Sequence, residues 1–228
     1  MGLVQLASRR VLVTSSLAIL MMGAHARGAG DAVFEASLTI ADLTDGARHA
    51  LLHEVESIWR EAGVRLRWAD AHDTDAPGPT LRVLVAKRPL PTAHGDTWVV
   101  GELRRFDNGD AVAVASVPLA EAVVRAAGGG RAHGVPDSVV QHRLGTVLGR
   151  AVAHEIGHYL LESGAHANHG LMRARFQPRE FTDLRSGTFT LDAGSQRQIQ
   201  ERLGATVTTI AQADRETPAG ATRSILHR

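Results

Sequence analysis

At 228 residues the chain has room for one folded domain of ordinary size with additional segments at its ends. Its 25 Lys+Arg against 24 Asp+Glu leave a formal net charge of +1, and it has one Tyr, five Phe and three Trp. Neither the charge nor the sparse aromatic content gives a footprint for nucleic acid. Cysteine is absent, which excludes disulfides, thiolate metal sites and a cysteine nucleophile, so any metal must be held by nitrogen and oxygen.

Arg9 and Arg10 precede the apolar and small-residue run "VLVTSSLAILMMG", and Ala24 to Ala26, "AHA", fit a small-x-small cleavage site. Residues 1–26 therefore read as a secretory signal peptide, too short for a comfortable membrane span, and the mature protein is expected to be secreted or periplasmic. From Phe34, the alternation of Phe34, Ala36, Leu38 and Ile40 predicts a first strand. Ala47, Ala50, Leu51, Val55, Ile58, Trp59 and Ala62 then form an apolar stripe at helical spacing, stopped by Gly63. "VRLRW" alternates as a half-buried strand, and after a loop through Pro77–Pro79 the segment Leu81 to Lys87 suits a more buried one.

"TWVVGEL" is a short strand candidate, Asn108-Gly109 marks a hairpin turn, and Ala111 to Ser116 a further strand. "PLAEAVVRAA" has helical character, ended by the glycines at 128–130. The longest predicted helix runs from about Asp137 or Ser138 to Leu161, capped by Asp137, with Val140, Leu144, Val147, Leu148, Ala151, Val152 and Ile156 on its apolar face. A smaller helix is expected from Gly194 to Leu203, and residues 206–228 as a loosely held tail. This order predicts an α+β fold, a mixed sheet covered by helices on one side.

The long helix carries the chemistry. His154, Glu155 and His158 form H-E-x-x-H, and spacing by four puts both imidazoles on one face, one turn apart, where they can converge on one ion. Glu155, next to the first ligand, is placed to act as general base on a zinc-activated water. A catalytic zinc needs a third protein ligand, for which Glu162, His166 and His169 are candidates. Glu162 continues the helix face, whereas a third ligand normally comes from chain that has turned back. Reversal through Gly164 would bring in His166, or by a longer loop His169; His166 is preferred.

"HEIGHYLLESGAH" followed by "HGLM" resembles the metzincin clan of zinc metallopeptidases and divergent bacterial exported proteins with an H-E-x-x-H motif. The resemblance implies a zincin-type catalytic domain over residues 31–205: a twisted mixed sheet, a long active-site helix and a small C-terminal subdomain. It implies zinc held by His154, His158 and His166, with Glu155 as general base and Met172 as a methionine turn beneath the metal. Leu161 and Gly164 stand where the clan has glycine and the third histidine, so His166 arrives two residues late. The resemblance further implies a peptide or protein substrate, bound by strand addition along an edge at Ala111 to Val117. Met172 reads equally as an ordinary core residue, and Tyr159 as packing beneath the site.

The alternatives are a zinc amidase acting on a cell-wall component and a noncatalytic zinc-stabilised binding module. A fourth protein ligand such as His169 would favour the module. Ser138, Ser163 and Ser195 lack a nucleophile elbow, Gly128–Gly130 lack a phosphate-loop lysine, and Asp107, Asn108 and Asp110 lack the rest of a calcium loop. Arg173, Arg175, Arg179 and Arg185 line a cleft beside the metal or form a solvated face.

Overall fold

Strand β1, Ala32–Ile40, is an inner strand of a five-stranded sheet in a computed structural model of the chain. The structure describes residues 32–69, 81–90, 99–129, 135–184 and 187–216. The signal peptide expected at residues 1–26, the loop around Pro77–Pro79, Arg185 and residues beyond 216 lie outside these. Helix α1, Asp45–Glu61, follows β1 and starts at Thr44, whose hydroxyl accepts from the Ala47 N–H. It ends where Gly63 takes φ 75°, the left-handed conformation that favours glycine. Strands β2 (Val64–Ala69), β3 (Leu81–Ala86), β4 (Gly101–Arg105) and β5 (Ala111–Ser116) complete the sheet in the order β2-β1-β3-β5-β4.

The pairs β1–β2, β1–β3 and β3–β5 are parallel, and β4–β5 is antiparallel. The fold is thus α+β with a mixed sheet. One position departs from the sequence reading. Ala111 to Ser116 is an internal strand, paired on both sides, and Val117 already begins a helix. The edge is β4, because the Asp107–Asn108–Gly109 turn folds β4 back outside β5.

Helix α2, Val117–Val124, is capped by Ser116 and runs into a wider turn at Arg125–Gly129. Helix α3, Asp137–Leu160, carries the histidine motif. Asp137 is its first helical residue rather than its cap; Pro136 holds the cap position without a side-chain bond, its fixed φ already suited to helix entry. From Leu144 to Leu160 all of α3 but His154 is buried, because α1, α2, the sheet and a later segment surround it. α1 approaches so closely that a Cβ at Gly145 would strike the Ala47 carbonyl, and one at Gly149 would lie 2.8 Å from the Leu51 carbonyl oxygen.

The main core joins Phe34, Ala36, Val83, Val85, Ala113 and Ala115 of the sheet to Leu51, Val55 and Trp59 of α1 and Leu148, Val152 and Ile156 of α3. A smaller cluster of Ala86, Leu90 and Val114 sits apart from it. After α3 come a short helix α4, Pro178–Thr182, and helix α5, Ala193–Glu216. α5 runs well past Leu203, where the sequence reading ended it, and takes in part of the expected tail. Gly204 does not stop it; the next strong breaker in the sequence is Pro218. No helix among the described residues is long and apolar enough to cross a membrane.

Candidate metal centre

Three imidazoles converge. His154 and His158 lie one turn apart on α3, and His166 reaches them from the chain beyond the helix. One ring nitrogen from each lies within 4.8 Å of the others. His154 and His166 stack with centroids 5.4 Å apart, while the His158 ring stands nearly perpendicular to both. Glu162 and His169, the other third-ligand candidates, are exposed and outside the cluster. Glu162 instead pairs with Arg202 at 2.7 Å.

The hydrogen bonds fix the imidazole tautomers. His154 Nδ1–H donates to the Leu171 carbonyl oxygen and His158 Nδ1–H to that of Ser163, each at 2.7 Å. A carbonyl can only accept, so both protons sit on Nδ1 and both Nε2 atoms present lone pairs. These Nε2 atoms face each other at 3.0 Å. Two lone pairs so close repel unless a cation lies between them. Tetrahedral zinc with ordinary Zn–N bonds places ligand nitrogens about 3.3 Å apart, so this nitrogen-only donor set fits zinc. Burial pushes the His154 pKa down to about 4 against the Leu171 bond, with His158 and His166 lowering it further. Burial likewise lowers His158, opposed by the Ser163 carbonyl and helped by His166 and Arg105. Both rings are therefore neutral near pH 7 and able to ligate.

The reversal that delivers His166 does not use Gly164. Glu162 takes the left-handed turn, with φ 51°, immediately after the helix ends. The Ser163 N–H then bonds the His158 carbonyl at 3.3 Å, closing the end of the helix. Two arginines absent from the sequence reading hold the same end. Arg105 Nη2 donates to the carbonyl oxygens of His158 (2.9 Å) and Tyr159 (3.4 Å), and Arg202 Nη1 to those of Tyr159 and Leu160 (both 3.0 Å). Tyr159 itself is buried against Phe34.

Glu155 lies on the other side of the ligand pair, with only 6% of its surface exposed. Its carboxylate reaches the edge strand: a Cβ built on Gly101 would sit 2.7 Å from Oε1, so any larger residue there displaces the carboxylate. Burial pushes its pKa up to about 8, the nearby Glu102 adds to this, and the Leu103 backbone N–H opposes it. Met172 is buried beneath α3, its Sδ occupying the space that a Cβ on Gly157 would need. The neighbouring Leu171 supplies the His154 carbonyl partner, so this turn braces the histidine cluster from below.

Arg150, one turn before His154, is 2% exposed and also went unnoticed in the sequence. It pairs with Glu54 at 2.6 Å, donates to the carbonyls of Glu180, Phe181 and Asp183 at 2.8–3.1 Å, and stacks on Phe189. An arginine at i−4 on the histidine stripe is the one signal that could have found it.

The histidines and Glu155 open onto a cleft of about 520 Å³. Val100, Val123, Ala151, Phe176, Pro178 and Phe181 make one part of it apolar. Of the four later arginines, Arg173 lines this cleft and Arg179 a separate hollow with Arg143, while Arg175 is exposed. Among the described residues no further Asp, Glu or His joins the three ligands. The arrangement could hold one metal ion at the wall of a cleft, with the Glu155 carboxyl beside it. No family model, curated protein or solved structure matches the chain.

Proposed function

We propose that the protein is an exported, zinc-dependent metalloendopeptidase of metzincin-like fold, with His154, His158 and His166 as metal ligands and Glu155 as general base. The observation that carries this reading is the pair of Nε2 lone pairs facing each other at 3.0 Å, with His166 completing the set and no fourth protein ligand among the described residues. A closed four-ligand set would instead favour a structural zinc.

A bound zinc supplies Lewis acidity, polarising a substrate carbonyl and making water acidic near neutrality. Glu155 then takes the proton of the attacking water on a carboxylate oxygen and delivers it to the leaving amine nitrogen. The Leu103 N–H bond and the space left by Gly101 hold that carboxylate in place. Its pKa of about 8 belongs to the metal-free site; a dication held by the three histidines would lower it and give the ionised carboxylate that a general base needs.

Strand β4 offers the surface for an extended peptide. Val100 and Phe106, flanking it, bond to Ser116 and Asp110 on the β5 side, so the alternate residues Gly101, Leu103 and Arg105 turn their main-chain groups outward, the Leu103 N–H being taken by Glu155. A peptide laid along this edge passes directly over Glu155. The test is cleavage of a mixed peptide library by the zinc-loaded protein. Glu155→Gln is expected to keep the zinc and lose roughly 10²–10⁴-fold in rate. Cleavage unaffected by Glu155→Gln overturns the assignment of the base, and no cleavage of any peptide overturns the peptidase reading.

A further inference from the structure

The proposed chemistry leaves one charged group of the cleft without a task. Arg105, at the end of β4, is exposed on the cleft wall beside His158. Its hydrogen bonds to α3 use Nη2 alone. Arg104, Arg150, Arg173 and Arg202 each pair with a carboxylate, from Glu102, Glu54, Glu180 and Glu162 respectively. Among the described residues Arg105 has no such partner. A guanidinium has five N–H donors, so Arg105 keeps several for a ligand.

Its position along the cleft gives the site a polarity. α3 presents Ala151 at the apolar part of the cleft, then His154 and Glu155, then His158 beside Arg105. From Ala151 to His158 the helix rises about 10 Å, so the apolar and cationic parts flank the metal ligands. We propose that the cleft selects substrates with an apolar group on one side of the scissile bond and a carboxylate on the other, and that Arg105 binds the carboxylate. This rests on the zinc-hydrolase reading and specifies its substrate class. Planar pairing with a guanidinium is the chemistry that recognises the carboxylate. That group is either an acidic side chain or a terminal carboxylate, which present the same two oxygens.

The experiment is calorimetry of the zinc-loaded protein with three hydroxamates sharing one phenylpropyl arm. One ends in a neutral methylamide, one carries a glutamate side chain with a blocked terminus, and one has a free terminal carboxylate. At least one carboxylate probe is expected to bind roughly tenfold or more tighter than the neutral one. The advantage should shrink as salt is raised, and which probe gains identifies the source of the carboxylate. Arg105→Gln is expected to abolish the advantage while keeping one zinc per chain. If that variant does not fold, Arg105→Lys, which keeps the charge without the planar fork, is expected to keep only part of it. Equal binding of all three probes, or an unchanged advantage in either variant, overturns the proposal alone. Failure of every hydroxamate to bind protein that carries zinc overturns the hydrolase reading and the proposal with it.

Discussion

The sheet with α1 and the segment between α3 and α5 share one apolar core, to which the segment gives Leu171, Met172, Phe181, Phe189 and Leu191, but their backbones are tied differently. β1, β3 and β5 are joined by backbone ladders, and their inward residues pack on α1 and α3 in one apolar core. Among the described residues of 161–192 the short α4 is the only helix and Ala167 with Arg173 the only β-bridge, yet they supply His166, Met172 and much of the apolar cleft wall. They are fastened by side chains that reach main-chain carbonyls: His154 to Leu171, His158 to Ser163, and Arg150 to Glu180, Phe181 and Asp183. The lesson is that the ligand helix also organises the segment it faces. Arg150, His154 and His158, three residues spaced by four, set both the histidine cluster and the wall beside it.

The largest effect that separates the two regions is expected at Arg150. Arg150→Gln leaves Glu54 and three carbonyls short of a donor and should destabilise the protein by about 3–5 kcal/mol in urea unfolding. It should also weaken zinc binding, because the segment carrying His166 and Leu171 loosens. A core truncation such as Val83→Ala should lower stability and leave zinc affinity unchanged in protein that remains folded. Equal effects of both variants on zinc would erase the distinction. Gly157→Ala comes next: the added methyl group displaces Met172, at a cost of roughly 1–3 kcal/mol, with a loss of zinc affinity measurable by chelator competition.

A pH titration of the metal-free protein isolates the Glu155 side of the site. Folded protein holds the Glu155 proton up to about pH 8, whereas the unfolded chain releases it near the ordinary value of 4.5, so this group lowers stability as pH rises between the two. His154 acts in the opposite sense: folded protein loses its proton near pH 4 and the unfolded chain near 6.5, so stability rises across that window. Between pH 4.5 and 6.5 the two oppose each other, and His158, whose pKa is lowered as well, adds to the His154 side. From there to pH 8 the metal-free protein should lose up to about 2 kcal/mol. Glu155→Gln should remove that loss, and a loss that persists in the variant would place its source elsewhere.

The smallest effect is expected at Glu162. Glycine there relieves a left-handed non-glycine residue but gives up a largely exposed pair with Arg202, for a net stabilisation of about 1 kcal/mol or less. Valine at the same position should destabilise. A stabilising valine would contradict the turn assigned to Glu162.

The same division decides what was legible in the sequence. Period-two and helical spacing are imprinted by one-sided burial, so β1 and the α1 stripe from Ala47 to Ala62 are found where alternation and spacing place them. The His154–His158 pair and Glu155 are visible for the same reason, since a helix turns a spacing of four into a shared face. Sheet order is not carried by periodicity, so the edge was sought at Ala111 to Val117 and lies at β4. Contacts between side chains and distant carbonyls leave no local pattern at all. Arg105, Arg150 and Arg202 looked like any surface arginine, and the turn expected at Gly164 falls on Glu162. Gly101 and Gly157 matter through neighbours 54 and 15 residues away, Glu155 and Met172, which only the folded chain brings to them.

The proposed zinc site has three protein ligands, His154, His158 and His166. It is tested most directly by counting zinc per chain in protein purified without a histidine tag or added metal, beside His166→Ala and His169→Ala. About one zinc per chain is expected, lost in His166→Ala and kept in His169→Ala. Zinc that stays near zero after metal is supplied, or that survives His166→Ala and disappears with His169→Ala, would contradict it.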